Sequence, residues 1–100
     1  MIVNRRTFVA KRGHLDDAVA LLKVAIDTAL EATDSPGTAR FYLPEIAPFD
    51  ILAVELEYED WDHYHGALAE WAQVVTEKFW EQWFAVTENG GTNEVWRIVE

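Results

Sequence analysis

Chemistry in this chain of 100 residues would fall to charged groups on strand-like stretches and to histidines at the head of a helix-like one. Arg6 lies in the stretch from Ile2 to Lys11, and Glu55 and Glu57 lie in the stretch from Ile51 to Glu59. Both stretches read as strands, the second with the cleaner alternation of apolar and polar residues. If the two pair antiparallel with Arg6 and Glu55 on one enclosed face, guanidinium and carboxylate can hydrogen-bond there, because a buried charge needs a partner. Such a pair serves as a structural tie across the sheet or as the polar end of a ligand pocket. Glu57 has no evident partner, and beside Glu55 it forms two like charges that could share a proton and act as acid or base. Arg6, Glu55 and Glu57 are the catalytic candidates. Asn4, Arg6, Phe8, Glu55, Glu57 and Trp96 are the candidate lining of a binding site.

The histidines carry less. His63 and His65 are two apart, so on a helix they face different directions and read as surface or pocket-mouth residues. His14, close to Asp16 and Asp17, reads as a helix-start feature without a third ligand. No metal site and no cofactor is expected. There is no cysteine, which removes disulfides and thiolate chemistry, and no Ser-His-Asp order or Gly-rich phosphate loop. Of the five tryptophans, Trp71 and Trp83 fall in a helical core row, Trp61 and Trp80 are less constrained, and Trp96 could line a cavity or a subunit seam.

The elements that must position these residues follow from periodicity. Trp61 to Val86 carries apolar residues three and four apart, at Trp61, Tyr64, Leu68, Trp71, Val75, Phe79, Trp83 and Val86, and predicts one long helix capped by Asp60. Its apolar face is wide enough to lie on a sheet. Leu15, Val19, Leu22, Ile26, Ala29 and Leu30 predict an earlier helix, ended by Asp34-Ser35-Pro36-Gly37. Thr38 to Leu43 predicts an edge strand followed by Pro44 and Pro48. Asn89-Gly90-Gly91 predicts a helix exit and tight turn before a last strand over Glu94 to Glu100. The order is βαβ twice, which predicts a ferredoxin-like βαββαβ fold in one domain spanning residues 1–100: a four-stranded antiparallel sheet, first and third strands central, two helices on one face. The other face is expected to carry Asn4, Arg6, Phe8, Ala53, Glu55, Glu57 and Trp96 or Ile98, too apolar for water, so a homodimer is expected to enclose it.

Composition bounds the rest. Half of the residues are apolar, no apolar run is long enough to cross a bilayer, and the net charge of −10 argues against a nucleic-acid partner. The start of the chain has no uninterrupted hydrophobic segment, so a cytoplasmic protein without a membrane partner is expected.

Asn4-Arg5-Arg6-Thr7-Phe8 followed by Lys11-Arg12-Gly13 resembles the opening of NIPSNAP-type members of the dimeric α+β barrel superfamily: acidic residue, apolar residue, Arg, Thr, aromatic, then a basic residue and Gly before the first helix. Asn4 and Arg5 depart from the first two positions. The Leu52 to Tyr58 strand, the Trp-rich second helix and the VWRIV strand extend the likeness over nearly the whole chain. The resemblance implies a homodimeric barrel holding a small, partly apolar organic molecule in a cavity between helices and sheet or between paired sheets. The superfamily also includes cofactor-independent monooxygenases of antibiotic biosynthesis, which implies, as the alternative, oxidation of an aromatic or polyketide-like substrate. Its haem-degrading members use a Trp and a His without counterparts here. A purely structural or interaction module is the third reading.

Overall fold

The computed structural model describes residues 1–32, 38–46 and 48–99. They form β1 (Ile2–Ala10), α1 (Leu15–Ala32), β2 (Ala39–Tyr42), β3 (Ile51–Tyr58), α2 (Trp61–Val74), α3 (Glu77–Val86) and β4 (Thr87–Arg97). The expected Asp34-Ser35-Pro36-Gly37 turn and the terminal Glu100 lie outside the described residues. The sheet is antiparallel with strand order β2-β3-β1-β4, so β1 and β3 are central and β2 is an edge, in the ferredoxin-like arrangement.

Register decides what each face carries, since a shift of one residue turns every side chain to the other side. Arg5 stands opposite Glu55, Arg6 opposite Val54 and Phe8 opposite Leu52. The even-numbered residues of both central strands therefore face the helices, and Leu52, Val54, Leu56 and Tyr58 are buried there with Ile2. Helix α1 adds Ala18, Leu22, Ile26 and Ala29, spaced to form one stripe, and Tyr64, Ala67 and Trp83 come from α2 and α3. No helix among the described residues is long and apolar enough to cross a membrane.

The expected composition of the open face is corrected by this register. Asn4, Arg6 and Phe8 are on the helix side, where the Phe8 ring meets Trp83 edge-on at 5.1 Å. The open face instead carries a row of alternating charge across all four strands, Arg40, Glu55, Arg5 and Glu94. Beside it stand Val3, Ile51, Ala53 and Trp96.

The single long helix is also corrected. It breaks after Val74, because Val75 and Thr76 adopt extended backbone and Thr76 starts a new helix, its hydroxyl oxygen accepting the Phe79 N–H at 3.3 Å. Both residues are β-branched and give up little by leaving the helix. The break lets two short helices anchor separately: Tyr64 of α2 packs on Tyr58 at one end of the sheet, and Trp83 of α3 packs on Phe8 at the other. Asp60 caps α2 as expected, accepting the His63 N–H at 2.8 Å.

Asn89-Gly90-Gly91 is not a helix exit but a bulge inside β4, which starts at Thr87 directly after α3. Thr7 pairs with Thr92 and Val9 with Glu88, so β1 advances two residues while β4 advances four. Gly91 has φ +94°, and a Cβ there would overlap the Thr7 carbonyl oxygen. Gly91→Ala is therefore expected to destabilise the chain by about 2 kcal/mol or more. Gly66→Ala, in open space on α2, should stabilise it by about 0.5–1 kcal/mol. Urea midpoints of the two variants check the opposite signs.

Candidate functional site

The two anchoring points of α2 and α3 leave a space over the middle of the sheet, where the helix break occurs. A cleft of about 330 Å³ lies there. Its floor is Asn4, Arg6, Phe8, Val54, Leu56 and Tyr58. Leu22 and Ile26 of α1 form one wall, and Trp71, Val75, Phe79 and Trp83 form the other. Trp80 is 45 % exposed and Ala72 is exposed, which puts them at the mouth.

The polar part of the floor is built from β1. Asn4 is fully buried, with each of its hydrogen-bonding atoms engaged: Nδ2 donates to Asn93 Oδ1 at 2.7 Å and to the Glu94 carbonyl at 2.9 Å, and Oδ1 accepts from Arg6 Nε at 3.0 Å. Arginine can only donate, so the Asn4 oxygen must face it and the nitrogen must face β4. The bond holds the Arg6 guanidinium against the floor. Tyr58 lies beside it, and burial raises the phenol's pKa to about 12. Arg6 opposes that shift electrostatically and Tyr64 adds to it, but desolvation dominates.

The six lining candidates are divided by the sheet. Asn4, Arg6 and Phe8 line the cleft, whereas Glu55, Glu57 and Trp96 are on the open face. The expected Arg6–Glu55 pair is replaced by Arg5–Glu55, at 3.9 Å, because Arg5 is the residue opposite Glu55. Glu55 also accepts the Tyr42 hydroxyl at 2.7 Å, and that bond pushes the Tyr42 pKa above its usual value. Glu57 is half-buried opposite Val3, and Trp96 is 60 % exposed on the far side of Val3. His63 and His65 diverge: His63 Nδ1 accepts the Glu59 N–H at 3.1 Å, and the His65 ring stacks on Trp61. No group of three or more His, Cys, Asp or Glu among the described residues could hold a metal ion.

Sequence reasoning missed Tyr58 and the walls. Leu22, Trp71, Phe79 and Trp83 were all on stripes expected to be core, and a stripe that lines a cleft has the same periodicity as one that fills it. The signal available was an excess of large rings in one helical stretch, since Trp71, Phe79, Trp80 and Trp83 all line the cleft.

No protein-family model matches the chain, and no curated protein matches it in sequence. Solved structures do. A NIPSNAP family protein from Agrobacterium tumefaciens matches with TM-score 0.73 at 16 % identity, over 99 % of this chain and 93 % of that one. An antibiotic biosynthesis monooxygenase matches with TM-score 0.71 at 16 % identity, over the full length of both. SnoaB, a cofactor-independent oxygenase from Streptomyces nogalater, matches with TM-score 0.69 at 11 % identity, over 99 % of this chain and 93 % of that one. The chain therefore has the α+β fold common to NIPSNAP-type proteins and these oxygenases, as its sequence pattern suggests.

The Tyr58 shift has a measurable sign. A phenol whose pKa is higher folded than unfolded keeps its full stabilising share below about pH 10 and loses it as pH rises to about 12. The loss is about 3 kcal/mol at most. Tyr58→Phe should remove most of that alkaline fall, read from urea midpoints across the same pH range; an unchanged fall would refute the assignment to Tyr58.

Proposed function

We propose that this chain is a NIPSNAP-like protein that binds a small, partly apolar organic molecule in the cleft between helices and sheet, and that it acts as a homodimer. The observation that carries the binding reading is the cleft itself. Its volume of about 330 Å³ is at the lower end for small-molecule sites, its walls are aliphatic and aromatic, and its few polar groups converge on one point of the floor. The lack of cysteine suits a reducing compartment such as the cytoplasm.

The homodimer is supported by the open face. Trp96, Tyr42 and Ile98 are 60 %, 40 % and 38 % exposed, on a chain of 100 residues that gains little burial alone. Two copies related by a two-fold axis would cover those groups with the same patch on each.

The second reading, oxidation of an aromatic substrate without a cofactor, is favoured by the aromatic walls and by the fold shared with SnoaB. Among the described residues, however, no carboxylate or histidine lines the cleft, and the candidate acids Glu55 and Glu57 are across the sheet from it. Binding is the better-supported conclusion.

Trp71, Trp80 and Trp83 line the cleft, so titration with naphthoate and naphthamide should change tryptophan emission saturably for at least one of them. Ala25→Phe, which places a ring in the cleft, should weaken that binding by about tenfold or more. No saturable signal from either probe, or unchanged affinity in the variant, refutes the site. For the dimer, sedimentation equilibrium should give twice the chain mass, and Trp96→Glu should shift the chain toward the monomer. A monomer at high protein concentration removes the dimer while leaving the cleft.

A further inference from the structure

We propose that the cleft selects organic acids: its ligand presents a carboxylate to Arg6 and lays an apolar, ring-bearing body between α1 and the α2–α3 wall. The proposal rests on the reading of the cleft as a binding site. Among the described residues Arg6 is the one charged side chain lining the cleft, and it makes no ion pair. The arginines with ionic partners are elsewhere, Arg5 with Glu55 and Arg12 with Asp50. A half-buried guanidinium surrounded by Phe8, Val54 and Leu56 keeps its charge, because arginine does not deprotonate in proteins. Its surroundings are therefore one negative charge short.

Hydrogen bonding points the same way. Among the described residues only Nε is taken up, by Asn4, which leaves the two terminal amino groups as a planar pair of donors. Asn4 has no donor to spare, since its two N–H groups go to Asn93 and Glu94. The Tyr58 hydroxyl stays protonated at neutral pH and donates or accepts one bond, whereas the guanidinium can only donate. The ligand's polar end must then accept, and a carboxylate matches the fork of a guanidinium with two parallel bonds. A neutral carbonyl would fill the acceptor role without offsetting the charge. One cation in a cleft of about 330 Å³ with apolar walls suits a single carboxylate on one or two rings better than a dianionic phosphate. The net charge of −10 means that the surface as a whole repels anions, so the attraction is confined to this cleft.

Naphthoate and naphthamide share ring and volume and differ in charge. Wild-type protein should bind naphthoate tighter by about tenfold or more, the usual gain from a charge-assisted pair of hydrogen bonds. Arg6→Met should bring the two affinities within about twofold by weakening naphthoate alone. Arg6→Lys, a point charge without the fork, should keep part of the preference. Equal affinities in wild-type protein, or a preference that survives Arg6→Met, overturn the proposal and leave the binding site standing. Binding of neither probe overturns both. The wild-type comparison needs no variant, so a folding failure in Arg6→Met does not protect the idea.

Discussion

The register between β1 and its two neighbours is the constraint from which the rest of the molecule follows. Asn4 pins it from the buried side: its amide reaches across to Asn93 and Glu94 on β4 and forward along its own strand to Arg6. A buried amide with all its bonds made is tolerable, whereas one displaced by a residue would leave several polar atoms unsatisfied at roughly 1–3 kcal/mol each. On the open side, the Arg40, Glu55, Arg5 and Glu94 row favours the same alignment by placing opposite charges face to face. The two sides specify one register independently.

That register gives the protein two unlike surfaces. The helix side receives Arg6, held by a neutral amide under aromatic walls and without an ion-pair partner among the described residues. The open side receives Glu55, Glu57 and Glu94, with Glu55 tied to Tyr42 and Arg5. Among the described residues, the carboxylates considered as acid or base, Glu55 and Glu57, are therefore across the sheet from the cleft. The fold shared with oxygenases does not alter this, since function depends on the groups that a fold presents.

The helix break is what opens the cleft. A continuous helix from Trp61 to Val86 would lie along the sheet and press one row of side chains onto it. With Val75 and Thr76 extended, α2 and α3 are fixed at opposite ends by aromatic contacts, Tyr64 on Tyr58 and Trp83 on Phe8, and the middle stays open. The Gly90-Gly91 bulge in β4 lies at the Phe8 end, where Gly91 comes close to the Thr7 carbonyl and the register with β1 shifts.

Element types and order were determined by the sequence alone, because alternation in Leu52 to Tyr58 and the three-and-four spacing from Leu15 to Leu30 are local properties of strands and helices. Strand order followed too, since two βαβ units with short links have few ways to pair. Asn4, Arg6 and Phe8 were candidates because the sequence pattern grouped them with Glu55, Glu57 and Trp96 on the open face, and they line the cleft on the opposite side instead. Their separation from Glu55, Glu57 and Trp96 was decided only in the folded chain, because both faces of β1 mix polar and apolar residues and periodicity could not say which face was inside. The break at Val75 was likewise hidden, as the apolar spacing runs through it without interruption and a single threonine cap is a weak signal. Facing and gaps depend on what packs opposite each residue, and that is information no stretch of chain contains about itself.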